Sequence, residues 1–88
     1  MDPKFLTVTA NNAVLETIKR AEQSDGTVIR LFEYKNRRGT VQITLPEQVR
    51  EIWEINLTED EMIASYSVED GTFSFDIRPY EIRTFLLK

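Results

Sequence analysis

Alternation of apolar and polar residues is clearest in two short runs of the chain. In residues 40–45, Val41, Ile43 and Leu45 face one way while the polar residues between them face the other. Residues 73–78 repeat this pattern with two phenylalanines and one isoleucine. A two-residue period is that of a β-strand with one buried face. Both runs are therefore predicted to be half-buried strands.

Turn signals divide the rest of the chain into segments of similar length. Asp25-Gly26 and Asp70-Gly71 are typical of hairpin turns, because Asp and Gly both tolerate a positive φ. Proline cannot donate to a strand ladder, so Pro79 marks a corner. The remaining predicted strands are residues 5–8, 27–34, 48–57, 62–68 and 80–87. Short strands separated by turns every 8–12 residues or so indicate an all-β sandwich or small barrel.

Residues 13–23 carry signals for two structures. Val14, Leu15, Ile18 and Ala21 recur at helical spacing, and Asn12 is a suitable N-cap. The Gly at position 26 is suitable for a helix end. Local rules alone leave both a helix and a strand open for this segment.

Length and composition limit the domain organisation. Eighty-eight residues form one small domain, predicted at residues 5–88, with residues 1–4 as a disordered start or a cloning remnant. Apolar residues make up 41% and charged residues 30%, which is a globular rather than a disordered composition. No apolar run has the length of a membrane span and no signal segment is present, so we expect a cytoplasmic protein or a fragment.

Charge and missing residue types exclude several function classes. The net charge of −4 gives no general footprint for nucleic acid or an anionic membrane. The chain has no cysteine and no histidine. It therefore has no disulfide, no Ser-His-Asp or Cys-His constellation, and no ordinary zinc site.

Acidic residues are the first candidates for chemistry. A retaining glycosidase needs two carboxylates about 5–5.5 Å apart, and the candidate pairs here are Asp76 with Glu81 and Glu54 with Glu59. Most of these acids occupy polar strand positions or turns, which favours a solvated surface. The run of acids at 59–61 offers oxygen ligands for Ca²⁺ but lacks the spacing and glycine of a known loop.

Basic and aromatic residues are the second group of candidates. Lys35, Arg37 and Arg38 beside Tyr34 resemble a single-strand nucleic-acid loop, but a charged, solvated turn fits a short loop in an acidic chain better. The flat rings that are candidates for stacking on sugar are those of Trp53, Tyr34, Tyr66 and Tyr80. Trp53 shares a strand face with two apolar residues, at positions 55 and 57, which favours the core. Tyr80 lies at a strand corner, where an exposed platform is more typical.

The segment Glu81-Ile82-Arg83 is predicted to place Ile82 inward and both charged residues outward. Cross-strand ion pairs on such a face contribute a few tenths of a kcal/mol each.

Five segments taken in order resemble the final β-sandwich domain of glycoside hydrolase family 38 α-mannosidases. The most distinctive is RPYEIRTFLL at residues 78–87, similar to the strand that closes those enzymes. The others are FLTV at 5–8, VLETIKRAEQSDGTVIRLFE at 14–33, RRGTVQITL at 37–45, and WEINLTEDE at 53–61. The resemblance implies an immunoglobulin-like or jelly-roll-like antiparallel sandwich, and a strand rather than a helix after residue 13.

The resemblance also implies a function. Family 38 enzymes are retaining, zinc-dependent hydrolases of α-mannosides that act in mannose and oligosaccharide metabolism, and their metal ligands and nucleophile belong to a separate catalytic domain. This chain would be a non-catalytic accessory domain with no cofactor of its own, packed against that catalytic domain. The candidates for sugar stacking or a domain interface are Tyr80, Glu81, Arg83 and Trp53.

Two alternatives come from other function classes. A stand-alone carbohydrate-binding module requires an exposed aromatic platform. A small protein-interaction domain requires an exposed apolar patch. An accessory domain separated from its partner would also leave such a patch, so we expect weak self-association of the chain.

Overall fold

The protein is an antiparallel β-sandwich. A computed structural model describes residues 6–21, 26–46, 49–56 and 61–88, and these residues form strands and connections without a helix. The eight strands are β1 (Thr7–Thr9), β2 (Ala13–Arg20), β3 (Thr27–Glu33), β4 (Gly39–Thr44), β5 (Ile52–Ile55), β6 (Met62–Tyr66), β7 (Thr72–Ile77) and β8 (Ile82–Leu87). The all-β sandwich prediction is confirmed. The disorder predicted for residues 1–4 concerns a segment outside the described residues.

The strands form two sheets. One contains three strands in the order β1-β4-β7, and the other contains five in the order β2-β3-β8-β5-β6. Every pairing between these strands is antiparallel. Strand β8, the last strand in the chain, lies between β3 and β5 at the centre of the larger sheet. Long-range pairing therefore holds the C-terminal strand in place.

The core lies between the sheets and is built on β8. Phe85 is fully buried, and its ring centroid lies 4.6 Å from that of Phe75, 5.3 Å from that of Phe73 and 5.6 Å from that of Tyr66. Tilted and edge-to-face rings at such distances are favourable beyond the area that they bury. The apolar residues around this aromatic group include Ile29, Leu31, Val41, Ile43, Ile52, Ile77 and Leu87.

The ambiguous segment after residue 12 is strand β2. Its pairing with β3 shifts between Leu15 and Thr17, where one extra residue forms a β-bulge. Because of the bulge, Leu15 pairs with Leu31 and Ile18 pairs with Ile29, so both pack against the core. A three-residue apolar spacing in this strand therefore imitates the period of a helix. The strand interpretation that the family resemblance favours is confirmed.

A buried carboxylate at the end of β3 holds two loops. The side chain of Glu33 accepts hydrogen bonds from the backbone amides of Lys35, Asn36 and Arg37 at 2.9, 2.8 and 3.3 Å. It also accepts one from the amide of Tyr80 at 2.8 Å. The residue is 0% exposed. One carboxylate thus joins the β3–β4 loop to the corner between β7 and β8.

Asn12 completes the surroundings of this carboxylate. Its side-chain amide donates to Glu33 at 3.0 Å and to the carbonyl of Arg37 at 2.8 Å. A Cβ atom on Gly39 would collide with the Asn12 side chain, so glycine at the start of β4 leaves room for it. Burial disfavours the charged form of Glu33, but the donated hydrogen bonds outweigh burial and lower its pKa to about 2.

We expect the change Glu33→Gln to remove part of the acid sensitivity of folding. A carboxylate whose pKa falls from an ordinary 4.5 to about 2 on folding stabilises the protein above pH 4.5, and this contribution is lost as the pH falls towards 2. The variant should therefore be less stable at neutral pH, and its free energy of unfolding should fall less steeply over that pH range. Urea unfolding between pH 2 and 7 measures both effects.

The matched control is Glu16→Gln, since Glu16 is an exposed acid on β2. This variant should keep the wild-type pH dependence. A Glu33→Gln protein whose stability follows the wild-type curve throughout would show that the carboxylate does not hold the loops through its charge.

Candidate functional site

A polar cleft opens where the two sheets separate at the end of β7. Its volume is about 630 Å³, which lies within the range of small-molecule sites. Three arginines and three acidic residues line it, together with one threonine, one glycine and one isoleucine: Arg38, Arg78, Arg83, Glu54, Asp76, Glu81, Thr40, Gly39 and Ile77. We refer to it as the polar cleft.

The floor of the polar cleft is an ion pair between β8 and β5. Arg83 Nε donates to Glu54 Oε2 at 2.6 Å and Nη2 donates to Oε1 at 2.7 Å, a bidentate arrangement. The Tyr66 hydroxyl donates to Glu54 at 2.7 Å and accepts from Arg83 at 2.9 Å. Arg83 Nη1 also donates to the carbonyl of Asp76 at 2.7 Å. The guanidinium therefore links β8 to β5, β6 and β7.

Electrostatics keep both partners charged. Burial opposes ionisation of Glu54, but the hydrogen bonds from Arg83 and Tyr66 and the charge of Arg83 lower its pKa. Burial likewise opposes the charge on Arg83, and Glu54 overcomes it, so the pKa of Arg83 is raised. Burial and the hydrogen bond to Glu54 raise the pKa of Tyr66. Both Glu54 oxygens are occupied, so this carboxylate serves structure rather than proton transfer.

The prediction for residues 81–83 is wrong about the direction of the side chains. Arg83 shares the inward face with Phe85, and its guanidinium carbon lies 5.0 Å from the Phe75 ring centroid and 5.7 Å from that of Phe85. Ile82 faces outward and is 42% exposed. The core opens at this end, so the arginine stem covers aromatic rings while its charge reaches Glu54. Arg83 is thus part of the sandwich interior.

The acidic candidates are distributed around the polar cleft. Asp76 and Glu81 both line it, as does Glu54, whereas Glu59 lies outside the described residues. Asp76 accepts a hydrogen bond from the Thr40 hydroxyl at 3.1 Å. Glu81 accepts one from the amide of Arg78 at 2.9 Å and lies 3.5 Å from Arg83.

Tyr80 lies in the chain between Arg78 and Glu81, which line the polar cleft, but it is not itself a lining residue. Its side chain is 58% exposed, and its backbone has a φ of 56°, which is rare for an aromatic residue. The hydrogen bond from its amide to Glu33 holds this conformation. Tyr80 therefore carries an exposed ring on a backbone that is held by the hydrogen bond to Glu33.

Trp53 lies elsewhere. It points to the outer face of the five-stranded sheet, where it packs with Val28, Ile55 and Leu86 in a second, smaller apolar cluster. The prediction that Trp53 shares a face with Ile55 is confirmed, but that face is not the one that covers the main core; Leu57, the third residue predicted on it, lies outside the described residues. The cluster half-buries Trp53, which is not among the residues that line the polar cleft.

The presence of Arg38 and Arg78 in one cleft was not predicted from the sequence. Arg38 was assigned to a basic loop, and Arg78 to the polar side of a strand. Both line the cleft because Gly39 pairs with Ile77 across β4 and β7, which brings the neighbouring positions 38 and 78 to the same end of these strands. Predicting it would require the register between β4 and β7, which depends on where the chain between these strands turns. The other basic residue near Tyr34, Lys35, lies with its Nζ 5.7 Å from that tyrosine's ring centroid.

An apolar row crosses the outer face of the five-stranded sheet. Val14, Phe32 and Ile82 are direct cross-strand partners on β2, β3 and β8. Val14 is 49% exposed. Phe32 between them is half-buried, and Tyr34 extends the row because its amide still pairs with the Asn12 carbonyl at 2.9 Å. We call these four residues the outer apolar row.

Neither a metal-binding cluster nor a membrane-spanning helix is found in the described part of the chain. Within the described ranges, no group of three or more His, Cys, Asp or Glu side chains is arranged to hold a metal ion. The suggested calcium ligands Glu59 and Asp60 lie outside those ranges. The described part of the chain has no helix of the length and hydrophobicity needed to cross a membrane.

We expect strong energetic coupling between Glu54 and Arg83. Glu54→Gln and Arg83→Met should each destabilise the protein by about 1–3 kcal/mol, because each leaves a polar partner unpaired in a half-buried site. The double variant should lose less than the sum by about 1–2 kcal/mol. A double-mutant cycle from urea unfolding measures this difference.

The exposed pair Thr40 and Asp76 provides the control cycle, with both residues changed to Ala. Its coupling should stay below about 0.5 kcal/mol, as is typical of exposed pairs. Additive effects of the Glu54 and Arg83 changes would contradict the role of this ion pair in closing the core.

Comparison with protein families gives one match that spans most of the chain. Residues 12–85 match the model of the glycosyl hydrolases family 38 C-terminal beta sandwich domain. Comparison with curated proteins and with solved structures gives no match. The matched range covers every strand from β2 to β7 and most of β8, and it includes both the polar cleft and the outer apolar row. The chain belongs to the family of glycoside hydrolase family 38 C-terminal β-sandwich domains.

Proposed function

We propose that this chain is a non-catalytic accessory domain of a zinc-dependent, retaining α-mannosidase. Membership of the family supports this role, since the family is named as the C-terminal sandwich of a glycosyl hydrolase. The sequence contains no histidine or cysteine, so zinc would have to be held by another part of the enzyme. Hydrolysis of α-mannosides would belong to the catalytic domain.

The observation that carries the proposal is the outer apolar row. Its residues lie on three adjacent strands, so they form one continuous surface rather than scattered exposed side chains. Contiguous exposed apolar surface in a small protein marks a site of contact with another protein. Domain interfaces within one enzyme bury about 600–1,500 Å², which the outer face of a five-stranded sheet can supply. The catalytic domain is the partner that we propose for this face.

The purified chain should not hydrolyse a chromogenic α-mannoside. Its sequence offers no histidine for metal binding, and the carboxylate on the floor of the polar cleft is already paired with Arg83. The assay should use a zinc-supplemented buffer and an active family 38 enzyme as the positive control. Turnover that persists through successive chromatography steps and disappears on unfolding of the chain would contradict the proposal.

The isolated chain should associate weakly through the outer apolar row. Sedimentation equilibrium at millimolar concentration should show an average mass above that of the monomer. The double change Val14→Lys and Ile82→Lys should restore a monomer, because two buried charges at the centre of the contact are costly.

The control is Ser74→Lys, which places one lysine on the exposed face of the three-stranded sheet. This variant should associate like the wild type. A wild-type chain that is monomeric at every concentration, or an association that only Ser74→Lys removes, would contradict the assignment of this face.

A further inference from the structure

Strand β6 lies at one edge of the five-stranded sheet, and no strand of the described residues lies beyond it. It pairs with β5 on one side only. In an antiparallel pair, the backbone donors and acceptors of alternate residues point away from the neighbouring strand. Strand β6 therefore presents backbone groups that another strand can bind.

The faces of β6 are exposed as well as its edge. Residues 62–65 are all exposed, with Met62 at 52% and Ile63 at 60%. Tyr66 at the end of the strand packs on the core, where its ring centroid lies 5.9 Å from that of Phe73 and 5.6 Å from that of Phe85. The strand is thus held by β5 and by its last residue, and two large apolar side chains are left open to solvent.

The other sheet edges carry features that oppose the addition of a strand. Strand β2 has a bulge and the charges of Glu16, Lys19 and Arg20. Strand β1 has only three residues, and β7 carries the charge of Asp76. Strand β6 has neither a charged residue nor a proline. Its bulge leaves Ile63 without a partner on β5, which adds an exposed apolar side chain rather than a charge. Among the described edges, β6 is the least protected.

Acidic residues flank β6 at both ends. Glu61 precedes the strand, and Glu69 and Asp70 follow it closely. All three are exposed, and no ion pair within the described part of the chain engages their side chains. A second copy would bring acidic ends together and carries the same net charge of −4, so repulsion opposes it. A strand with a basic residue at each end would meet opposite charges in either direction.

We propose that β6 binds an extended segment of a partner protein by strand addition, and that this segment has an uncharged centre and a Lys or Arg at each end. Backbone hydrogen bonds provide affinity, as in other cases of strand addition. Met62 and Ile63 contact the side chains of the partner, and Glu61 and Glu69 select its charges. The outer apolar row begins on β2, at the opposite edge of the same sheet. The proposal therefore does not depend on the α-mannosidase role.

An amide-resolved NMR titration with a synthetic peptide tests the proposal. The probe is a heptapeptide with blocked ends, whose five central residues alternate valine and threonine to match the five residues of β6, between two lysines. It should give saturable shifts at residues 62–66, with a Kd in the millimolar range or below. Hydrogen exchange of amides in this strand should slow about tenfold. No saturable shift, or shifts confined to the outer apolar row, would overturn the proposal.

Two altered peptides separate charge selection from backbone pairing. The peptide with glutamate at both ends should bind about five- to tenfold more weakly at low salt, and this difference should shrink at about 0.5 M salt. A peptide with proline at its third and fourth positions loses a backbone donor on each of its edges, and it should bind about tenfold more weakly. Equal affinity of the proline peptide and the lysine-ended probe would overturn strand addition.

A charge reversal in the chain tests the selecting acids. Glu61→Lys combined with Glu69→Lys should bind the glutamate-ended peptide about five- to tenfold more tightly than the lysine-ended one. Both residues form their hydrogen bonds through the backbone, so the change keeps these bonds. The control, Glu16→Lys combined with Asp76→Lys, changes the net charge equally and should still prefer lysine. An unchanged preference in the first variant, folded by its amide spectrum, would overturn the charge assignment.

A concentration series without peptide tests a second copy as the occupant. It uses the Val14→Lys and Ile82→Lys chain, in which the outer apolar row is blocked, so any remaining association is separate from the proposed domain interface. The spectrum at residues 62–66 should stay constant with concentration. Shifts there that grow with concentration, together with no binding of the lysine-ended peptide, would overturn the basic partner in favour of a second copy.

Discussion

The buried carboxylate of Glu33 controls the arrangement of one whole end of the sandwich. Backbone amides have no charge of their own, yet several of them point at one anion that water cannot reach. Such a group is costly to bury unless its acceptor positions are filled, and here donors from Asn12, the β3–β4 loop and Tyr80 fill them. Three separate parts of the chain are therefore tied to a single side chain. The polar cleft and the exposed Tyr80 ring depend on this arrangement, because Arg38 and Arg78 extend from the loops that it holds.

A second charged group has a different role where the core opens into the polar cleft. Arg83 faces the core, where its stem covers the rings of Phe75 and Phe85 and its charge is neutralised by Glu54. An apolar residue there would bury comparable surface but would not join β8 to three other strands. The ion pair thus gives the sandwich a defined opening, with a polar floor instead of a gap between the sheets. The polar floor of the cleft and the packing of the core are consequences of the same side chain.

The fold was largely predictable because strand alternation and turn residues act over a few positions. The alternating phenylalanines at 73 and 75 and the Asp70-Gly71 turn are local signals, and the structure follows them. The bulge in β2 was not predictable by local rules, since its apolar spacing equals that of a helix. The direction of Arg83 was missed because a charged residue was expected to face solvent, and only the partner Glu54 on another strand makes the inward position favourable.

The candidate site was harder to predict than the fold. Its lining comes from the β3–β4 loop, β5, β7 and β8, so it exists only after the sheets have formed. One segment of the sequence already contained the candidates Tyr80, Glu81 and Arg83. The residues at 38, 40 and 76 are brought to the same end of the sandwich by strand register alone. Glu33 reads in the sequence as an ordinary acid at a strand end. Only the hydrogen-bond donors that surround it in the folded structure distinguish it from the exposed acids.

The hydrogen bond from Arg83 to the Asp76 carbonyl also affects how this protein meets other chains. Strand β7 lies at an edge of the described three-stranded sheet, and a free edge is a template on which another strand can add. Such addition requires a regular series of unoccupied carbonyl and amide groups. At residue 76 the acceptor is already occupied by a guanidinium from the opposite sheet. The side chain that closes the core therefore also interrupts this edge, which protects a small sandwich against aggregation by strand exchange.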